Sequence, residues 1–187
     1  MAAGSHSFLF TDLVGFTALT AAEGDDRAAE VACDFYDRVR PLLARHGAEE
    51  IKTIGDALML RCDEPAEAMR LGVAIVRELE ADPAFPLVRV GIHTGPAVHR
   101  NGDWYGTTVN VAARLCAAAA GGQVLASETT RERAGRVRGL EFGEERLHWL
   151  KNVTDPVGAH LVSAHECRIA SRSFSLRGLF GTRELTA

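Results

Sequence analysis

The chain has 187 residues, of which 47% are apolar, 25% charged and 6% aromatic, and this excludes a collagenous repeat, a disordered linker and a disulfide-stapled mini-protein. The formal net charge of −4 lacks the basic excess of a duplex-binding module, so no nucleic-acid partner is expected. No apolar run approaches the roughly 20 residues that cross a bilayer, so no membrane anchor and a cytoplasmic location are expected.

Residues 1–6 read as an N-terminal segment outside the domain, with Gly4-Ser-His resembling an expression remnant. Ser7 to Thr11 is a short β-prone run ending at Asp12, and Leu13-Val-Gly-Phe-Thr17 leads into helix-favouring sequence. From Asp26 to His46, apolar residues at 31, 35, 39, 42 and 43 predict a helix capped by Gly47, with Pro41 placed to kink it. Ile51–Ile54 and Ala57–Cys62 predict two strands joined at Gly55-Asp56, a pair suited to a two-residue hairpin with Asp56 at the tip. A second amphipathic helix over Glu64–Glu80 precedes a strand at Leu87–His93 and a loop at Gly102–Gly106. Thr107–Ala120 then predicts an alanine-rich helix stopped by Gly121-Gly122, with a strand at Gln123–Ala126 after it. Short strands follow around 140–142, 145–150 and 158–162.

The order βαββαβ plus further strands predicts an α+β fold, a ferredoxin-like sheet with helices packed on one face and a C-terminal β appendage. The domain is expected over residues 7–163, with a tail over 164–187. Cys33, Cys62, Cys116 and Cys167 lie far apart, form no CxxC pair, and read as buried thiols of a reducing compartment.

No Walker-A loop, dinucleotide fingerprint, HExxH or GxSxG occurs in the chain. Asp12 ends the first strand and Asp56 tips the hairpin; if those strands are neighbours, the two carboxylates meet. Beside a helix N-terminus they would suit a pair of Mg²⁺ ions holding a polyphosphate, with N–H groups of Gly15 to Thr17 on the phosphates. Taken singly, Asp12 would serve equally as an N-cap and Asp56 as a plain turn residue. Asn110 and Arg114 are four apart on one helix face, where an amide and a guanidinium can fix a sugar and neutralise a pentacoordinate phosphorus, or simply face solvent. Among the 21 basic residues only Lys52 and Lys151 are lysine, and a Lys52/Asp103 pair could read the donor and acceptor edge of a purine.

Phe10-Thr-Asp-Leu-Val-Gly-Phe-Thr17, Lys52-Thr-Ile-Gly-Asp-Ala57, Arg89-Val-Gly-Ile-His-Thr-Gly95 and Asp103-Trp-Tyr-Gly-Thr-Thr-Val-Asn-Val-Ala-Ala-Arg114 resemble successive blocks of the class III nucleotidyl cyclase catalytic domain, as in bacterial adenylate cyclases of the mycobacterial type. The resemblance covers residues 7–163. It implies that Asp12 and Asp56, with the Leu13 carbonyl, bind two Mg²⁺ or Mn²⁺ ions, and that Lys52 and Asp103 select adenine. It implies further that Asn110 orients the ribose, Arg114 stabilises the transition state, and Phe16, Thr17, Arg89 and Lys151 contact the triphosphate. The implied reaction is conversion of ATP to 3′,5′-cyclic AMP and pyrophosphate, at sites shared between two copies arranged head to tail. Guanylyl cyclases usually carry other residues at positions 52 and 103. A nucleotide-binding domain that has lost catalysis is the reading of a different class. One departure is Asn152, where the family commonly has glycine after the lysine, and asparagine also tolerates a left-handed backbone.

Overall fold

A computed structural model describes residues 4–165. The chain runs β1 (Ser5–Leu13), α1 (Phe16–Glu23), α2 (Asp25–Leu43), β2 (Ala48–Ile54), β3 (Ala57–Cys62), α3 (Pro65–Glu80) and β4 (Val88–Pro96). It continues through β5 (Val98–Arg100), β6 (Asp103–Tyr105), α4 (Thr107–Ala118), β7 (Val124–Ser127), α5 (Glu128–Ala134), β8 (Leu140–Phe142), β9 (Arg146–His148) and β10 (Val157–Ala164). The main sheet has the order β2-β3-β1-β4-β7-β10-β8, with β9 also on β10, and β5 and β6 form a separate hairpin. Its first four strands are antiparallel in the ferredoxin-like order, and β7 to β10 extend it from β4. The expected core and its β appendage are therefore one continuous sheet.

Alternation along the strands gives the sheet two apolar faces. Leu9 and Leu13 of β1, Leu58 and Leu60 of β3, and Val90 and Ile92 of β4 bury against Phe35, Val39, Leu71 and Ile75 of α2 and α3. The intervening residues Phe8 and Met59 pack with Val109 and Ala112 of α4. Helices were expected on one face, but α4 lies on the other, because Phe8, Met59 and Leu125 make that face apolar too.

Gly91 permits α4 to approach. A Cβ there would lie 2.0 Å from the Cys116 nitrogen and 2.5 Å from the Ala112 carbonyl oxygen. Both contacts are with backbone, so neither can yield by a rotamer change. Gly91→Ala is expected to destabilise the domain by about 3 kcal/mol or more, read as a lowered thermal midpoint by circular dichroism.

Some element boundaries differ from those expected. β1 begins at Ser5, and the His6 imidazole hydrogen-bonds Asp63 at 2.7 Å, so these two residues belong to the sheet. The helix expected to His46 tightens after Leu43 into a 3₁₀ turn over Ala44–His46, just beyond Pro41, and Gly47 ends it at φ 57°. The loop expected at 102–106 is half strand: Asn101 and Gly102, at φ 52° and 78°, make the two-residue turn between β5 and β6. Glu128–Ala134, unassigned from sequence, is α5, capped by the Ser127 hydroxyl accepting from the Thr130 N–H. Cys62 and Cys116 are buried as expected, but Cys33 is exposed because it falls off the apolar stripe of α2. Cys167 and nearly all of the expected tail lie outside the described residues.

His93 on β4 is mostly buried, with Nδ1 2.7 Å from the Ser127 hydroxyl. Burial, reinforced by the charge of Arg133, pulls its imidazole down from 6.5 to about 4. The unfolded chain therefore takes up this proton first as pH falls. This contribution to stability is whole above about pH 6.5 and is lost at about 1.4 kcal/mol per pH unit down to about pH 4. Urea midpoints at pH 7 and pH 5 are expected to differ less in His93→Gln than in the parent protein.

Candidate active site

The first strand delivers Asp12 to the α4 face near its C-terminal end, with Arg89 opposite on β4 and Ala57 opposite on β3. Arg89 Nε and Nη2 both donate to Asp12 Oδ2, at 2.7 and 2.5 Å, and Nη1 donates to the Ala117 carbonyl at 3.1 Å. Asp12 is not an N-cap, since Gly15, at φ 81°, begins α1 and no side chain caps it. No cap side chain therefore accepts from the first-turn N–H groups of α1, in which Thr17 is exposed and Phe16 half-buried.

Ile54 pairs with Ala57, so Gly55-Asp56 is the expected two-residue turn, and Gly55 at φ 60° supplies the positive dihedral it needs. The adjacency of β1 and β3 brings Asp56 next to Asp12 and Leu13. Burial pushes the Asp56 carboxyl above the usual carboxylate range, and the charge of Asp12 adds to this. Its own backbone N–H, that of Leu13, and Arg89 act in the opposite direction. Tyr36 of α2 donates its hydroxyl to the Gly55 carbonyl and ties the tip to the helix layer. Sequence reasoning missed Tyr36 because the α2 stripe gives no sign of what lies beyond the helix end.

Two carboxylates and a carbonyl are hard oxygen donors around a half-buried point of excess negative charge, a set that fits Mg²⁺ or Mn²⁺. Cys116 borders the same pocket but is no alternative ligand. Its Sγ donates to the Arg89 carbonyl at 3.4 Å, and burial pushes the thiol up to about 12. Among the described residues no three His, Cys, Asp or Glu side chains gather as a metal site.

A second group forms around α4. Lys52 on β2 donates from Nζ to Asp103 Oδ2 at 2.5 Å, and Asp103 Oδ1 accepts from the Trp104 N–H at 2.8 Å. The Lys52 bond first, then the Trp104 N–H, holds the Asp103 carboxyl below its usual range. Asn110 and Arg114 are exposed on α4. Lys151 is exposed in a turn that Leu150 anchors against Val111 and Leu115 of the same helix. Asn152 takes φ 61°, so asparagine adopts the left-handed conformation for which the family uses glycine.

The pocket at Asp12 and Arg89 has a volume of about 140 Å³ and is lined also by Ala113, Cys116 and Ala117; none of Lys52, Asp103, Asn110, Arg114 or Lys151 lines it. Sites that enclose a ligand of nucleotide size span about 300–1,000 Å³. Among the described residues, no helix is long and apolar enough to cross a membrane.

The fold is a ferredoxin-like sheet with two carboxylates, Asp12 and Asp56, at adjacent strand tips. Residues 2–148 match the adenylate and guanylate cyclase catalytic domain, and the chain belongs to that family. It is similar to a pH-sensitive adenylate cyclase of Mycobacterium tuberculosis, 40% identical over 126 residues that make up 67% of this chain and 32% of that protein. It is also similar to an adenylate cyclase of Streptomyces coelicolor, 35% identical over 135 residues, 72% of this chain and 35% of that protein. The chain thus spans about a third of the length of these curated relatives. Among solved structures it resembles an adenylate cyclase of Trypanosoma brucei determined in its monomeric state, with TM-score 0.72 at 25% identity over 85% of this chain and 89% of that one. A guanylyl cyclase crystal structure shares the fold, with TM-score 0.76 at 22% identity over 90% and 98% of the two chains.

Proposed function

We propose that this chain is an adenylate cyclase, converting ATP to 3′,5′-cyclic AMP and pyrophosphate in the cytoplasm at two sites shared by a head-to-tail homodimer. The observation that carries the reading is the Lys52–Asp103 pair, which sets an ammonium donor beside a carboxylate acceptor. Adenine offers N1 as an acceptor and its 6-amino group as a donor, and guanine inverts both. The names of the Mycobacterium and Streptomyces relatives support the same substrate.

Division of the site residues into two separate groups supports the shared site. Asp12, Leu13, Asp56 and Arg89 of one copy would face Lys52, Asp103, Asn110, Arg114 and Lys151 of the other. Two divalent cations, Mg²⁺ or Mn²⁺, held by Asp12, Asp56 and the Leu13 carbonyl, would supply Lewis-acid activation of the ribose 3′-hydroxyl and charge neutralisation of the triphosphate. The Asn110 amide fixes the ribose so that its 3′-oxygen lies in line with the α-phosphorus. Arg114 donates to the α-phosphoryl oxygens as negative charge builds on them. Arg89, once it leaves Asp12, joins Lys151 and the N–H groups of Phe16 and Thr17 around the β- and γ-phosphates. A 3′-oxygen–phosphorus bond forms, the bridging bond between the α-phosphorus and the β-phosphate breaks, pyrophosphate leaves, and the hydroxyl proton passes to solvent. No protein general base is assigned.

Chromatographic assay of product from ATP and from GTP, with Mg²⁺ and with Mn²⁺, over a range of protein concentrations tests the reading. Cyclic AMP with a specific activity that rises with concentration is expected. A folded dimer that makes no cyclic product would instead favour a nucleotide-binding domain without catalysis.

A further inference from the structure

The hairpin of β5 and β6 that carries Asp103 has three-residue strands and no backbone ladder to the main sheet. A two-stranded hairpin of that size is marginal by itself, so its position depends on side chains. Trp104 makes the principal contacts. Its indole lies edge-on to His6 at 4.6 Å and Phe8 at 5.6 Å, is tilted against His99 at 4.9 Å, and has the Arg61 guanidinium over it at 5.2 Å. Arg61 is itself held by Glu49 of β2 and by Asp63, each at 2.5 Å.

Trp104 and Ile51, the neighbour of Lys52, both pack against the apolar cluster that contains Phe8 and Met59. The β2–β3 register slips between Glu50 and Lys52, so Ile51 sits at a bulge, the kind of irregularity that re-aims the next side chain. Trp104 thus adjoins Asp103 in sequence and shares an apolar cluster with the residue before Lys52, while its backbone N–H donates to Asp103 Oδ1.

We propose that Trp104 is a positioning residue for purine selection: clamped by His6, Phe8, Arg61 and His99, it fixes the hairpin and so the distance and orientation of Asp103 relative to Lys52. The inference rests on the reading of these two residues as the purine-selecting pair. The indole acts through them and is assigned no contact with substrate.

The test compares Trp104→Ala and Trp104→Phe with the parent protein by two readouts. In the first, a rise in the KM for ATP of between about tenfold and a hundredfold, with a smaller change in kcat and a reduced preference for ATP over GTP, is expected in Trp104→Ala. Recovery of most of this is expected in Trp104→Phe. The second needs no turnover. Lys52 and Lys151 are the only lysines, so limited acetylation followed by mass spectrometry gives a Lys52:Lys151 ratio with its own internal reference. That ratio is expected to rise several-fold in Trp104→Ala, where Asp103 no longer shields the ammonium, and to stay near the parent value in Trp104→Phe. An unchanged ratio in folded Trp104→Ala overturns the proposal, even if the parent protein proves inactive and the cyclase reading fails separately. Unchanged nucleotide preference in a parent protein that does make cyclic AMP overturns it alone. Should Trp104→Ala not fold, the exposed His99→Ala, which removes one wall of the clamp, is expected to raise the ratio in the same direction, and no rise there overturns the proposal.

Discussion

Asp12→Ala and Arg114→Ala are each expected to lose at least about a hundredfold of ATP turnover, and an equimolar mixture of the two inactive proteins to regain about a quarter of the parent activity. The quarter follows from symmetry. Random exchange makes half of the dimers mixed. Each mixed dimer has one site with intact Asp12 from one copy and intact Arg114 from the other, while its second site lacks both. Neither side chain is needed for folding: Arg114 is exposed, and Asp12 is half-buried against a guanidinium that also reaches the Ala117 carbonyl. If subunit exchange is demonstrated by mass spectrometry and the mixture stays inactive, both groups belong to one copy and the shared-site model is wrong.

The purine pair carries the second large effect. Replacing Lys52 with Glu and Asp103 with Ser exchanges donor for acceptor, so that the glutamate accepts from guanine N1–H and the serine donates to O6. ATP turnover is expected to fall at least about a hundredfold, because adenine would then meet an acceptor at N1 and lose the carboxylate at its amino group. GTP turnover is expected to rise relative to ATP in the same protein. The double change also removes the ion pair that joins the hairpin to β2, so thermal stability is measured alongside. Unchanged preference for ATP in the folded double variant would sink the assignment of these two residues.

Arg89 pairs with Asp12. The resemblance implies a triphosphate contact, whereas the guanidinium lies on Asp12 with two hydrogen bonds. Both positions suit one residue: an arginine on β4 opposite Asp12 can neutralise the carboxylate before cations arrive and turn to phosphate afterwards.

Much of the fold was legible because its signals are local. Alternation in β1 and β3, the Gly55-Asp56 turn and the stripes of α2 and α3 are set by periods of two and 3.6 residues and by backbone dihedrals, so sequence alone determined them. The motif blocks singled out Asp12, Lys52, Asp56, Asp103, Asn110 and Arg114 as candidates without any structure. Two short elements were less legible: α5 and the β5–β6 hairpin have too few residues for a period to show.

Only the tertiary structure decided what meets what. That α4 covers the second face of the sheet depends on Gly91, an unremarked glycine in an apolar strand until its missing Cβ is set against the Cys116 nitrogen. That Tyr36 steadies the Asp56 turn, and that Trp104 seats the Asp103 hairpin on His6, Phe8 and Arg61, are contacts between residues 19 and more than 40 positions apart along the chain. Side-chain chemistry is written in the sequence one residue at a time, whereas the spacing between two such residues is set by the packing of everything that lies between them, and that exists only once the chain has folded.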